Sequence, residues 1–93
     1  MRQPGNAALK GLDGIGKKML GDFAQLGIGT VDQLAAANPD ELYERLCDLT
    51  HARQDPCVLD VFRCAVAQAR NPSLPAEQRN WWWWSRKRKS DGA

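Results

Sequence analysis

Aromatic residues are scarce along most of this 93-residue chain. Of its seven, four are consecutive, Trp81-Trp82-Trp83-Trp84, which leaves Phe23, Tyr43 and Phe62 for everything before them. A core ahead of the Trp run must therefore be built from Leu, Val, Ile, Ala, Met and Cys. No apolar run approaches the ~20 residues of a membrane-spanning helix. Met1-Arg2-Gln3-Pro4 leads into no apolar stretch, so no secretory signal is expected, no membrane partner, and a cytoplasmic location. Histidine occurs once, at His51. No Ser or Cys stands beside it with an orienting acid at a recognised spacing, so no enzyme and no cofactor are expected. The three cysteines are an odd number at irregular spacing, which argues for reduced thiols and against a disulfide framework. Strand-like alternation of useful length is absent.

Charge of one sign is also lacking overall, since 13 basic residues face 11 acids for a net +2. The distribution says more than the sum. Residues 1–20 carry +3, residues 21–62 carry −6 and residues 63–93 carry +5. A wholly basic nucleic-acid coat is excluded, but two local basic sites are not.

Helical periodicity is present throughout. Ala7 to Leu12 forms a short first segment that stops at the turn dipeptide Asp13-Gly14. A second follows Gly16, with Met19, Leu20, Phe23 and Leu26 on one face. Gly27 closes it, and Ile28 makes the apolar contact beyond the end. Thr30 with Gln33 fits a capping box opening a third helix, with Val31 and Leu34 inward. Asn38-Pro39-Asp40-Glu41 starts a fourth, which would bury Leu42, Leu46 and Leu49 with Tyr43 and Cys47 flanking. Asp55-Pro56 starts a fifth that places Cys57, Val58, Val61, Phe62, Ala65, Val66 and Ala69 on one broad face. Asn71-Pro72-Ser73 ends it. Asp40, Glu41 and Glu44 read as helix-start and surface acids, Asp55 as a cap and Asp60 as part of a solvated face.

The stretch from Leu9 to Met19 matches a helix-hairpin-helix pattern: Leu9, two spacers, Leu12, a spacer, Gly14-Ile15-Gly16, then a helix. Gly14 and Gly16 allow torsions that a Cβ would resist and leave room for a phosphate against the main chain. Amides at a helix start are unpaired donors, and the helix dipole favours an anion there. Ile15 points inward and anchors the turn. Lys17 and Lys18 occupy the first helical turn, where cations oppose the dipole. A bound anion explains that placement better than stability does. The plain alternative is a tight helix-helix turn with solvated lysines. Contacts of this kind read the sugar-phosphate backbone and not base sequence. Their expected affinity is about 10⁻⁴–10⁻⁶ M at physiological salt.

Several blocks together resemble one family. They are Leu9 to Ile28, Asn38 to Cys47, Asp55 to Val66 and the terminal Trp-rich segment. The family is that of small bacterial proteins labelled pathogenicity-locus or mitomycin-resistance protein, and the resemblance covers nearly all of residues 7–84. It implies an all-α, DNA-binding, cytoplasmic bacterial protein linked to DNA repair or damage resistance. The expected fold is a compact five-helix SAM-like bundle containing a helix-hairpin-helix motif. Family members end in Trp-Trp-x-Trp and a charged residue. Four tryptophans and a longer basic tail set this chain apart and leave the tail's function open.

The expected organisation is a flexible N-terminus over 1–6, the helix-hairpin-helix domain over 7–70, a connector and Trp-rich clamp over 71–84, and a basic disordered tail over 85–93. Proposed DNA contacts are Gly14, Ile15, Gly16, Lys17, Lys18 and Lys10, with Arg86, Lys87, Arg88 and Lys89 from the tail. Four consecutive tryptophans cannot all point one way. In a helix only Trp81 and Trp84 share a face, and in a strand they split two and two. Some rings would therefore pack on the bundle as a clamp. Others would be free to stack on unpaired bases beside the basic residues. Membrane association ranks below both, because the segment is short and its rings are few. One hairpin binds weakly, so a second contact from the tail, a homodimer or a protein partner is expected. The competing function is a protein-interaction module without direct DNA binding. Cys47, His51, Cys57 and Cys64 form the pattern C-x3-H-x5-C-x6-C, which departs from the close pairs usual for zinc. They read as small buried hydrophobes, with a structural zinc site as the alternative.

Overall fold

A computed structural model describes Leu9, Leu12, residues 15–71 and residues 73–92. Among these there are five α-helices and no strands: α1 Lys17–Gln25, α2 Val31–Ala35, α3 Pro39–Thr50, α4 Pro56–Arg70 and α5 Trp81–Gly92. A 3₁₀ turn, Ala76–Arg79, joins α4 to α5. The expected first segment, 7–12, lies outside the described residues apart from Leu9, which is buried, and Leu12, whose amide donates to the Leu9 carbonyl at 3.2 Å.

Local chemistry sets most helix ends. Thr30 Oγ1 accepts from the Gln33 amide at 3.1 Å, while the Gln33 side chain accepts from the Thr30 amide at 3.2 Å, a reciprocal capping box. Asn38 Oδ1 accepts from the amides of Asp40 and Glu41 ahead of Pro39. Asp55 accepts from the Cys57 amide at 2.9 Å ahead of Pro56. At the end of α1 the Ile28 amide reaches the Phe23 carbonyl at 2.8 Å and the Gly27 amide reaches Ala24 at 3.1 Å. That is a Schellman motif, and it needs the left-handed torsion that Gly27 adopts at φ 81°.

The core is one cluster around Phe23 and Phe62, whose ring centroids lie 5.3 Å apart. Leu34 and Leu46 complete it from α2 and α3, and Ala65 and Val66 from α4. Burial in α3 centres on Leu42, Tyr43, Leu46 and Cys47. Leu49, expected inside, is 52 % exposed, because at 100° per residue it falls at the margin of that face. Two arginines close the ends of other helices. Arg45 donates to the Leu26 carbonyl at 3.1 Å, and Arg70 donates to Ala35 and Ala37 at 2.8 Å each. The radius of gyration is 12.8 Å, close to the ~12 Å of a folded chain of this length. No described helix is long and apolar enough to cross a membrane.

Two sequence expectations need correction. The segment 85–93, expected to be disordered, is helical as far as Gly92. Asp60, expected on a solvated face, is wholly buried. The two findings share one cause. Arg88 Nε lies 2.9 Å from Asp60 Oδ1 and Nη2 lies 3.1 Å from Oδ2, a bidentate pair that holds α5 along α4.

Candidate nucleic-acid interface

The first candidate surface is the start of α1. Gly16 is its N-cap, and no side chain caps it. The Leu20 amide makes the first intrahelical bond, to the Gly16 carbonyl at 3.0 Å. The amides of Lys17, Lys18 and Met19 have no intrahelical acceptor. The first turn holds no acid and the two lysines are exposed, so the positive end of the dipole carries two further charges. Lys18 Nζ sits 3.3 Å from Asp22 Oδ2, with the lysine side chain 85 % exposed. The Asp22 side chain is only 12 % exposed, while the lysine in water leaves the pair screened on one side, so that it contributes on the order of 1 kcal/mol. Ile15 is half-buried against the core cluster, as expected. Gly14 and Lys10 lie outside the described residues.

The torsional reason for Gly16 needs correction. At φ −100° and ψ −174° its backbone is extended, a region open to any residue. A Cβ there meets no described atom within 4 Å. What glycine leaves at this position is open space directly before the helix amides.

The second candidate surface is α5, where the Trp run divides by exposure. Trp81 and Trp82 are 40 % and 44 % exposed, while Trp83 and Trp84 are half-buried. Trp84 Nε1 donates to the Gln78 carbonyl at 2.8 Å, and its ring meets Trp83 edge-on at 5.0 Å between centroids. Ser85 is buried beside them. The inner edge of the helix is thus fixed by Trp84, Ser85 and Arg88. Outward, the Arg86 guanidinium lies 4.6 Å from the centroid of the Trp82 ring. Lys89 is exposed on the same arc. Glu77, Trp83, Arg86 and Lys87 line an adjacent groove of about 370 Å³.

The basic tail is therefore not one electrostatic unit. The hydrogen bond to Asp60 raises the Arg88 pKa above its ordinary value, against partial burial. That guanidinium is part of the fold. Arg86, Lys87 and Lys89 remain on the surface. The role of Asp60 was hidden in the sequence, where it falls opposite the broad apolar face of its helix and reads as solvated.

The metal candidates are dispersed. Cys47 and His51 line one groove with Asp48, Ala52 and Arg53. His51 is exposed and ends α3 in the left-handed conformation. Cys47 is buried and its sulfur accepts from the Gln54 amide at 3.3 Å. Cys64 is buried against the Gln78 carbonyl at 3.6 Å. Cys57 opens α4, where its hydrogen bond with Asp55 pushes the thiol pKa up and disfavours the thiolate that a metal needs. Among the described residues no three His, Cys, Asp or Glu side chains gather closely enough to hold a metal ion.

Comparison with known proteins places this geometry in a family. The family model described as pathogenicity locus matches residues 3–90, nearly the whole chain. The chain belongs to the pathogenicity-locus family. The chain is also similar to the mitomycin resistance protein McrB of Streptomyces lavendulae, at 39 % identity over 75 residues, which span 81 % of this chain and 68 % of that protein. No solved structure gives a significant match. The matched region includes both candidate surfaces.

Proposed function

We propose that this family member binds DNA through its phosphate backbone, as a small SAM-like bundle with a helix-hairpin-helix contact at the start of α1. The observation that carries the reading is the uncapped α1 terminus. Three amides without an intrahelical acceptor, open space at Gly16 and two exposed lysines converge there. Thr30, Asn38 and Asp55 cap the following three helices, so those amides already have acceptors. A phosphate oxygen would accept from the α1 amides while Lys17 and Lys18 neutralise its charge. The exposed Lys18 ammonium would be shared between Asp22 and the phosphate. Arg86, Lys87 and Lys89 on α5 would provide a second contact that raises avidity. Arg88 drops out of the proposed set, because removing it from Asp60 would leave a buried carboxylate without its cation.

The proposed role is binding without chemistry. The name of the Streptomyces relative suggests that this binding serves mitomycin resistance. The competing reading, a protein-interaction module, draws on the exposed Leu49, Trp81 and Trp82. A titration of duplex DNA at two salt concentrations separates the two. Phosphate neutralisation predicts a steep loss of affinity with salt. Lys17→Glu with Lys18→Glu should weaken duplex binding by about tenfold or more and flatten the salt slope by about two. Unchanged binding by that double variant refutes the hairpin contact.

A further inference from the structure

We infer that the outward face of α5 is a stacking site for unpaired nucleic-acid bases, built on Trp82 and flanked by Arg86 and Lys89, with the exposed Trp81 at its margin. The inference rests on the DNA-binding reading and adds to it a preference for single-stranded segments.

Three features point to that ligand. First, the two outer rings are exposed while the two inner rings are tied down. Trp84 is held by the Gln78 carbonyl and by the edge of Trp83, and Arg88 is held by Asp60. The helix cannot roll to bury Trp82 without breaking the Arg88–Asp60 pair. Exposed aromatic area is therefore presented by a rigid support. Second, Arg86 already lies against the Trp82 ring at 4.6 Å. A cation stacked on an indole leaves the rest of the ring, within a 44 % exposed residue, available to a second planar group. Nucleobases are planar and stack on aromatic side chains whatever their sequence. Third, the charge around the rings is positive. Arg86, Lys87 and Lys89 follow Trp82 within two helical turns. Trp82 and Lys89 are separated along the helix axis by about 10 Å, the rise of about three stacked nucleotides. The exposed ring at one end and Lys89 at the other then span the length of one short strand.

A lipid surface is the weaker match. An interfacial helix needs a broad apolar face turned to the bilayer, whereas the outward arc of α5 mixes one indole with Arg86 and Lys89. The inner face, which is more apolar, is already packed on α4 and the 3₁₀ turn.

The test uses the full chain and three probes of equal length: a thymidine oligonucleotide, the same phosphodiester chain with abasic sites, and a duplex. Wild type should bind the thymidine strand more tightly than the abasic strand. Trp82→Ala with Trp81→Ala should reduce that binding about tenfold or more. Abasic and duplex binding should stay within about twofold. Trp82→Tyr, which keeps a ring, should recover most of the loss. Both rings are exposed, so an unchanged thermal midpoint is expected and separates lost stacking from lost fold. The stacking site is overturned if thymidine and abasic strands bind alike, if all three probes weaken together, or if the tryptophan variants lose binding only to anionic phosphatidylserine vesicles. The outcomes also separate this inference from the reading beneath it. Duplex binding that depends on Lys17 and Lys18 but ignores both tryptophans sinks the stacking site alone. Absence of binding to every nucleic-acid probe at low salt sinks both.

Discussion

The start of α1 and the end of α5 are the two basic regions of the molecule, and they differ in what their charges are attached to. In α1, Lys18 meets Asp22 one turn away; the lysine side chain is 85 % exposed and the aspartate side chain 12 %. In α5, Arg88 meets Asp60, 28 residues away in sequence and wholly buried, with the arginine side chain 28 % exposed. The first pair is open to water on the lysine's side, which screens it. The second cannot be broken without stranding a carboxylate in the core. A run of basic residues is therefore not a measure of what is available to phosphate. Burial of both partners decides which cation belongs to the fold and which reaches a ligand.

The sharpest way to break this comparison is to remove α5. Truncation after Asn80 takes Arg88 from Asp60 and the half-buried Trp83 and Trp84 from the bundle. Loss of a cooperative melt, or a fall in Tm of more than about 15 °C, is expected by circular dichroism. A truncated chain that melts like the full one would make α5 an appendage. Next in size, Arg88→Ala alone should lower Tm by about 12 °C or more, while Lys18→Ala should lower it by no more than about 8 °C. Asp60→Leu with Arg88→Met, two apolar residues of similar volume, should recover most of that loss. The same double variant should keep duplex affinity within about twofold, because Arg88 is not a phosphate contact in the proposed interface.

A smaller effect tests the capped helix starts against the uncapped one. Hydrogen bonds from Cys57 hold the Asp55 carboxyl below its ordinary pKa. A depressed folded pKa adds stability that is complete above the unfolded value of about 4. It is lost as pH falls through the lower folded value. Asp55→Asn keeps a capping oxygen but removes the titration, so the acid limb of a Tm–pH profile below about pH 4 should become shallower. Gly16→Ala, at the uncapped start, should change Tm least of all, since its added methyl meets no described atom. It should still weaken duplex binding if a phosphate occupies the space in front of the amides.

The helix starts at Thr30, Asn38 and Asp55 were legible in advance, as was the Gly27 terminus. Each depends on residues within five positions of one another, and their hydrogen bonds are local. Of the expected hairpin, the structure describes Leu9, Leu12 and the part from Ile15 onward. Gly16 was expected to serve both a torsion and open space; its backbone is extended, so only the space is found. In α3, spacing alone placed Leu49 inside, whereas the packing of Tyr43 and Cys47 turned the buried face away from it. For α5 the sequence offered no period to follow: the four tryptophans occupy every side of a helix, and the basic residues after them suggested a tail.

The sequence by itself determined where most helices begin and end, because caps, prolines and a positive-φ glycine act on the nearest backbone groups. It also determined that aromatic area would be concentrated at one end. Only the tertiary structure decided how that end is used. A buried acid on α4 selects one arginine of four basic neighbours, fixes the rotation of α5, and so divides four identical side chains into two half-buried and two exposed ones. That choice depends on the burial of Asp60, and burial is a property of the packed chain and not of any local stretch.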